Sequence, residues 1–241
     1  SNIGPVPGKV KFCKFNDVSH LKKLVNKKTV AIIIEFVQGD GGINICSKNF
    51  AKAIKGICKN KKILLIGDEI QGGIGRTGKI FAYKHYGVNP DIITSAKGLG
   101  SGIPIGATIV KKYISKIIST GFHGSTFGGG MLQTRVSYNV FKTINTKRFL
   151  NKVLINGNLL SSLIKKMHHL HKDKIVDTRC LGLMAGVEFK NNQIALKTYE
   201  KMSKNGLIST LIQGNIVRLT PPLTVSSGEI RKAIKIITQS L

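Results

Sequence analysis

Apolar residues in the first 110 positions of the chain cluster into four short runs, separated by polar or glycine-rich segments. The first runs are almost unbroken, as is typical of strands buried on both faces of a parallel sheet. Helical periodicity lies between them. This alternation predicts an α/β layer with a largely parallel sheet. The predicted strands are 30–37, 63–66, 91–96 and 105–110, and the predicted helices are 17–28 and 47–59.

The pattern changes after about residue 131, where a long helical region begins and runs to about residue 170. A strand at 181–188, a helix at 193–205 and a strand pair within 207–224 follow it. Ser226 and Glu229 form the sequence signature of a capping box, which predicts the start of a final helix. We therefore expect a large domain over residues 1–140 and a small α+β domain over residues 141–241.

Composition narrows the classes of function. The chain has 241 residues, 38 Lys+Arg and 11 Asp+Glu, which give a net charge of +27. Such a charge first suggests nucleic acid. The lysines, however, are spread along the whole chain, and a nucleic-acid surface more often has clustered charge, arginine forks and aromatic platforms. Ile, Lys and Asn are all abundant and have AT-rich codons, so the base composition of the genome explains the lysines without a partner. We therefore expect no specific nucleic acid. A basic RNA-binding fragment remains an alternative.

Membrane, metal and secretion signals are not visible in the sequence. No run of about 18 apolar residues is present, so we expect no membrane helix. The four cysteines form no CxxC pair and lack zinc spacing, so we expect no metal site. Free thiols without a visible leader fit a reducing compartment. The expected location is the cytoplasm, or an organelle matrix if a leader has been lost.

Charged residues follow the predicted strands, at the edge where open α/β sheets bind ligands. Glu35 lies near the end of the first strand, whereas Asp68 follows the second and Lys97 the third. A lysine amine can form a Schiff base with a carbonyl compound, and pyridoxal phosphate uses such a lysine together with an acid on its ring nitrogen. Lys97 and Asp68 fit these two roles. The glycines after Lys97 let a bulky cofactor approach the backbone.

Five blocks of sequence resemble class III pyridoxal-phosphate aminotransferases, and most closely the acetylornithine aminotransferases among them. The blocks occur in the order of that family and span essentially the whole chain. They are residues 35–42, 68–78, 90–97, 123–129 and 218–223.

The resemblance implies the fold type I architecture of pyridoxal-phosphate-dependent transferases: the C-terminal part of the large domain, plus the small domain. It implies that Lys97 is the Schiff-base lysine and proton shuttle, and that Asp68 pairs with the ring nitrogen. Gln71 would bond the phenolic oxygen of the ring. Ser125 and Thr126 would reach the phosphate of the cofactor in the neighbouring subunit, which implies a homodimer with the site at its interface.

The resemblance also assigns substrate-binding residues. Arg218 would hold the substrate α-carboxylate, Asp40 would pair with Arg218 and gate it, and Glu35 would lie near the substrate side chain. The implied reaction transfers an amino group from N-acetylornithine to 2-oxoglutarate, in arginine biosynthesis. Ornithine or another ω-amino acid remains an alternative substrate.

Several positions depart from the family pattern. Phe36 stands where proline is usual, Asp40 replaces a glutamate and reaches less far towards Arg218, and Gly130-Met131 replaces Asn-Pro. The chain also resembles only the C-terminal part of family members. The phosphate-binding loop, the aromatic that stacks on the ring and one arginine would lie in an N-terminal half. We therefore expect a portion of a longer protein or a separately encoded half, with an inactive or structural remnant as the alternative.

Gly73, Gly75 and Gly78 also fit the dinucleotide fingerprint, so a Rossmann oxidoreductase is the rival class of enzyme. The match is weak, because no clear helix begins at Gly78 and no acid lies about 20 residues beyond it.

Overall fold

The computed structural model describes residues 9–241. None of the helices in this described part is long and apolar enough to cross a membrane. The helices are α1 Val18–Leu24, α2 Lys48–Lys61, α3 Lys112–Ser115, α4 Met131–Ile144, α5 Lys147–Leu170, α6 Asn192–Lys204 and α7 Ser227–Ser240. The strands are β1 Ala31–Ile34, β2 Val37–Gln38, β3 Asn44–Ile45, β4 Leu64–Asp68, β5 Ile92–Ser95, β6 Ala107–Val110, β7 Ile175–Leu181, β8 Met184–Phe189, β9 Thr210–Ile212 and β10 Ile216–Leu219.

The first sheet has the strand order β1-β4-β5-β6. Strands β1 and β5 both run parallel to β4, whereas β6 pairs antiparallel to β5. The predicted α/β layer is therefore confirmed, with β6 as the antiparallel member. The link from β5 to β6 is short and contains only a single 3-10 turn, whereas a parallel crossover needs a dozen or more residues.

Strand β1 lies at one edge of this sheet and pairs with β4 on one side only. Its predicted burial on both faces is wrong at Ile33, whose side chain is 63% exposed, and Val30 just before the strand is 78% exposed. Both residues are apolar because the segment is suited to a sheet interior. Within the described chain, no element covers the side chains of Val30 and Ile33.

The second sheet is antiparallel and has the order β7-β8-β10-β9. Helices α5 and α6 pack against it, and α7 packs on both of these helices. Leu160, Val187, Val217 and Ile237 are among the residues that form its core. The prediction of a strand around 181–188 is confirmed as β8, but β7 was not predicted because its centre, Asp177-Thr178-Arg179, is polar.

Side-chain caps set the starts of five helices. Asp17, Ser47, Thr146, Asn191 and Ser226 each accept a hydrogen bond from a backbone N–H in the first turn, and the Ser226–Glu229 capping box is complete. Such caps stabilise a helix by about 1 kcal/mol. Thr146 divides the single predicted helical region 131–170 into α4 and α5.

The described residues form two main hydrophobic clusters, one on each sheet. Ile144 belongs to the first cluster and Val153 to the second. The domain boundary near residue 140 stays a prediction.

Candidate active site

Strands β4 and β5 place two of the predicted residues at the same edge of the first sheet. Asp68 is the last residue of β4 and pairs with Thr94 of β5. Lys97 follows the end of β5 by two residues. Because β4 and β5 are parallel, their carboxyl ends meet at one edge, where open α/β sheets bind ligands.

The carboxylate of Asp68 is oriented by its neighbours. Its Oδ1 accepts hydrogen bonds from the backbone N–H of Ile70 at 3.0 Å and from the hydroxyl of Thr94 at 3.2 Å. Among the described residues, Oδ2 has no hydrogen-bond partner. One oxygen is thus fixed and the other is available to a ligand.

Lys97 adopts a backbone conformation that is rare outside glycine. Its φ is +46°, and the residue begins a short 3-10 turn, Lys97–Leu99. A lysine held in this region costs on the order of 1 kcal/mol or more, and such residues cluster at functional sites. Its side chain is exposed and has no ion pair within the described chain. Together with residues 102–105 it lines a cavity of about 400 Å³.

Asp40, Gln71 and Arg218 form one hydrogen-bonded group. Arg218 donates through Nη1 to Asp40 Oδ1 at 2.5 Å and to Gln71 Oε1 at 3.2 Å. Gln71 in turn donates through Nε2 to Asp40 Oδ2 at 3.1 Å. The carboxamide of Gln71 therefore bridges the acid and the base, a contact that its predicted role did not include.

Two features of this group bear on what it can bind. A Cβ atom at position 39 would lie 2.2 Å from Gln71 Oε1, so Gly39 gives the Gln71 side chain its room. The Nε of Arg218 is buried and has no partner in the described chain. A guanidinium has five N–H donors, and the two hydrogen bonds to Asp40 and Gln71 both come from Nη1, so Arg218 has further donors for a carboxylate.

Glu35 lies within electrostatic reach of Asp68, Asp40 and Lys97. Its Oε2 accepts a hydrogen bond from the Gly39 N–H at 3.1 Å. Burial raises the pKa of the Glu35 carboxyl, and the charges of Asp68 and Asp40 raise it further, whereas the Gly39 N–H and the Lys97 amine oppose the rise. The charges of Asp68, Asp40 and Lys97 therefore all act on the Glu35 carboxyl group.

Ser125 and Thr126 lie apart from this group, in the exposed loop before α4. Ser125 lines a second cavity, of about 390 Å³, together with His123, and both cavities share Pro104 and Ile105. Neither hydroxyl donates a hydrogen bond to another described residue. Their role at a subunit interface stays a prediction.

Sequence reasoning assigned no role to two residues that contact the site. Thr94 orients Asp68, and it was visible only as part of a strand-end block. Gln213 donates through Nε2 to the backbone carbonyl of Asp40 at 2.8 Å. It is one polar residue in a turn, and no sequence signal marks it.

The glycine-rich loop after β4 is filled by the protein itself. Cβ atoms at Gly73, Gly75 and Gly78 would lie 2.5, 2.6 and 2.3 Å from the Glu69 carbonyl and the side chains of Ile144 and Leu154. No α-helix begins there, and only the 3-10 turn Ala82–His85 follows. The dinucleotide interpretation of these glycines is therefore wrong.

Glu69, beside Asp68, has a structural role. Its carboxylate accepts hydrogen bonds from the N–H groups of Ala82 at 2.7 Å and Tyr83 at 2.8 Å. Burial raises the pKa of Glu69 to about 7, against the opposing effect of these two donors. The side chain is 1% exposed and thus closed to a ligand.

Comparison with known proteins places these features in a family. A family model described as "Aminotransferase class-III" matches residues 2–241. The chain is 39% identical over 239 residues to an acetylornithine aminotransferase of Methanocaldococcus jannaschii, and 37% identical over 241 residues to ornithine aminotransferase 1 of Staphylococcus saprophyticus. These alignments cover 98% and 99% of the chain but 58% and 60% of the relatives. The chain thus spans about three fifths of their length.

Solved structures are similar over the same extent. An ornithine aminotransferase from Toxoplasma gondii superposes with a TM-score of 0.93 at 30% identity, covering 99% of this chain and 57% of that one. An acetylornithine aminotransferase from Elizabethkingia anophelis gives a TM-score of 0.88 at 31% identity, covering 94% and 58%. The predicted fold type I architecture is confirmed.

Proposed function

The chain belongs to the class III aminotransferase family, and on that premise we propose that it carries the cofactor-anchoring and substrate-recognition residues of a pyridoxal-phosphate-dependent aminotransferase. The observation that carries the proposal is the placement of the Lys97 amine and the Asp68 carboxylate at adjacent strand ends. The Asp40–Gln71–Arg218 group then supplies a place for a substrate carboxylate.

The residues present fit pyridoxal phosphate. Lys97 offers an amine without an ion pair in the described chain. Asp68 offers a carboxylate oxygen that its neighbours leave free. Lys97 would hold the cofactor through its Nζ, Asp68 would face the ring nitrogen, and Gln71 would face the phenolic oxygen. When bound, pyridoxal phosphate would supply an electron sink for the carbon that loses its proton.

Each side chain has a distinct task in this proposal. Asp68 would keep a proton on the ring nitrogen, since a fixed negative charge favours the protonated form. The Nζ of Lys97 would remove a proton from the substrate and return it elsewhere, because an amine near the reacting carbon can act as a general base. Arg218 would orient the substrate by binding its carboxylate, which suits a planar guanidinium.

We propose N-acetylornithine as amino donor and 2-oxoglutarate as acceptor, as part of arginine biosynthesis in the cytoplasm. The Methanocaldococcus jannaschii relative, named an acetylornithine aminotransferase and 39% identical, supports this choice. The Staphylococcus saprophyticus relative, named an ornithine aminotransferase, supports ornithine as the second candidate. We further propose a homodimer in which Ser125 and Thr126 reach the partner's cofactor, and an N-terminal portion that completes the site.

The test is an assay of the chain, assembled with its N-terminal portion and pyridoxal phosphate, for transfer from acetylornithine and from ornithine to 2-oxoglutarate. We expect activity with acetylornithine and its loss in Lys97→Ala. Lys79→Ala is the matched control, because Lys79 is an exposed lysine outside the site, and it should keep full activity. Equal activity in Lys97→Ala and Lys79→Ala would refute the proposal.

A further inference from the structure

The β9–β10 hairpin holds Asp40 at two points. Gln213, in that turn, donates through Nε2 to the backbone carbonyl of Asp40 at 2.8 Å. Arg218, on β10 of the same hairpin, donates to the Asp40 carboxylate at 2.5 Å. One hairpin thus fixes both the backbone and the side chain of Asp40.

The turn that carries Gln213 is well anchored. Gln213 and Gly214 both have positive φ, +52° and +79°. A Cβ atom at position 214 would lie 2.8 Å from the side-chain Nδ2 of Asn192, so the turn lies against the start of α6. Asn215 donates to the Phe189 carbonyl at 3.2 Å, which ties the turn to β8. The Gln213 side chain therefore extends from a fixed point.

The segment after Asp40 is packed against the same sheet. A Cβ atom at Gly42 would lie 2.9 Å from Ile216 Cδ1, and Ile43 lies against Gly186. Ile43 is 0% exposed although its φ is +58°, a conformation that β-branched residues rarely adopt. The backbone on the C-terminal side of Asp40 is thus held close to β10.

This arrangement explains how a short acid reaches Arg218. Aspartate has one methylene fewer than glutamate, and a shorter reach was expected at this position. The side chain nevertheless bonds Arg218, because Gln213 and the packed segment bring the backbone of Asp40 towards the hairpin. The Asp40 side chain is 74% exposed, and besides Arg218 it is held by the hydrogen bond from Gln71 Nε2 at 3.1 Å.

We propose that Gln213 is a positioning residue that sets how firmly Asp40 occupies Arg218, and through this how readily Arg218 accepts a substrate carboxylate. The inference rests on the proposed function for the role of Arg218. Asp40 and a substrate carboxylate compete for the same guanidinium, and a group that stabilises Asp40 on Arg218 makes that exchange less favourable. Gln213 therefore favours substrates whose reacting carbon lacks an adjacent carboxylate over those that have one.

The size of the effect follows from the single hydrogen bond involved. Loss of one such bond changes an equilibrium by about two- to tenfold. Loosening Asp40 should increase the affinity for 2-oxoglutarate and for the unreactive dicarboxylate glutarate by that factor. The kcat should not change, because Gln213 touches neither Lys97 nor Asp68.

Gln213→Asn is the test variant. Asparagine tolerates a left-handed backbone, so the turn and the fold should be kept, but its side chain is one methylene too short to reach Asp40. Gln239→Ala is the control, because Gln239 is an exposed glutamine on α7 with no side-chain hydrogen bond in the described chain. In Asp40→Glu/Gln213→Asn, the longer acid should restore the contact with Arg218.

The measurements are glutarate affinity by calorimetry, KM and kcat with 2-oxoglutarate, and the unfolding temperature. The inference is supported if Gln213→Asn binds glutarate about two- to tenfold more tightly at unchanged kcat, and if Asp40→Glu reverses the change. It is overturned if the wild-type protein is active and both Gln213→Asn and Gln239→Ala bind glutarate with the wild-type affinity. A glutarate shift in a protein without transaminase activity would refute the proposed function and support the Gln213–Asp40 coupling.

Discussion

Gly182 and Thr77 are in direct backbone contact, although one lies between β7 and β8 and the other follows β4. A Cβ atom at Gly182 would lie 2.5 Å from the carbonyl carbon of Thr77. Gly157 of α5 packs on the other side, with its own Cβ position 2.5 Å from the Gly182 carbonyl oxygen. Three backbone segments therefore meet without side chains between them. The contact between Gly182 and Thr77 packs the β7–β8 turn of the second sheet against the glycine-rich loop that follows Asp68.

Gly182→Ala should destabilise the protein strongly, because the new methyl group would overlap backbone atoms that have no room to move. Gly206→Ala is the matched control: its φ is +80°, like the +60° of Gly182, but its Cβ would meet no atom within 4 Å. The strain of positive φ is thus common to both variants. We expect Gly182→Ala to cost at least about 2 kcal/mol more than Gly206→Ala. Urea unfolding measures the difference, and equal losses would contradict the contact.

Arg76 joins the same two parts of the chain by hydrogen bonds. Its Nη1 donates to the carbonyls of Leu183 at 3.2 Å and Pro221 at 2.5 Å, and burial lowers its pKa to about 10. The lysine side chain is one atom shorter than the path to arginine Nη1, so Arg76→Lys should leave a buried carbonyl unpaired and cost about 1–3 kcal/mol. The exposed Arg231→Lys should change stability by less than about 0.5 kcal/mol. Similar unfolding curves for the two variants would argue against this role.

Gly39→Ala should separate stability from ligand binding. The new Cβ would displace the Gln71 side chain, which is flexible, so the free energy of unfolding should change by less than about 1 kcal/mol. Displaced Gln71 would no longer face the cofactor, and the affinity for pyridoxal phosphate should fall by about two- to tenfold. In Gly41→Ala the new Cβ would meet only the Gln38 side chain, at 3.2 Å. Spectroscopic titration with cofactor should leave Gly41→Ala near wild type; an equal loss there would remove the basis for the Gln71 argument.

Glu69 should make stability depend on pH between its two pKa values. The unfolded carboxyl titrates near 4.5 and the folded one at about 7, so in that interval the folded protein binds more protons. The contribution of Glu69 to stability therefore falls as pH rises from 4.5 to 7 and is constant above that range. Glu69→Gln does not titrate, so the stability of wild type relative to Glu69→Gln should decline over the same interval. Urea midpoints of both proteins across these pH values test this, and a difference independent of pH would disprove it.

The sequence predicted the positions of Asp68 and Lys97 at neighbouring strand ends, because those positions depend on local signals. Unbroken apolar runs predict parallel strands, and parallel strands bring their carboxyl ends together, so the pattern predicts that Asp68 and Lys97 lie at one edge of the sheet. For Glu69, next to Asp68, the sequence alone does not separate a catalytic from a structural role. Its hydrogen bonds to residues 82 and 83 decide for structure, and those depend on a 3-10 turn without a sequence signature.

Contacts between segments that are far apart in the sequence could not be predicted from the pattern of apolar and polar residues. The reach of Asp40 was judged from side-chain length, whereas the position of its backbone depends on Gln213, from a different sheet. Phe36, a departure from the family pattern, is 1% exposed and stacks on Tyr86 with ring centroids 5.3 Å apart. The predicted burial of Ile33 is wrong for another reason. An apolar run shows only that a strand is suited to a sheet interior, whereas β1 lies at the edge of the described sheet and Ile33 is exposed there.

The central claim is that Lys97, among the 32 lysines of the chain, is the residue that holds pyridoxal phosphate beside Asp68. Reduction of the cofactor-loaded protein with borohydride, followed by mass spectrometry of its peptides, tests this most directly. We expect one modified peptide, which contains Lys97, at close to one cofactor per chain. Labelling spread over many surface lysines, or concentrated on a lysine other than Lys97, would contradict the claim.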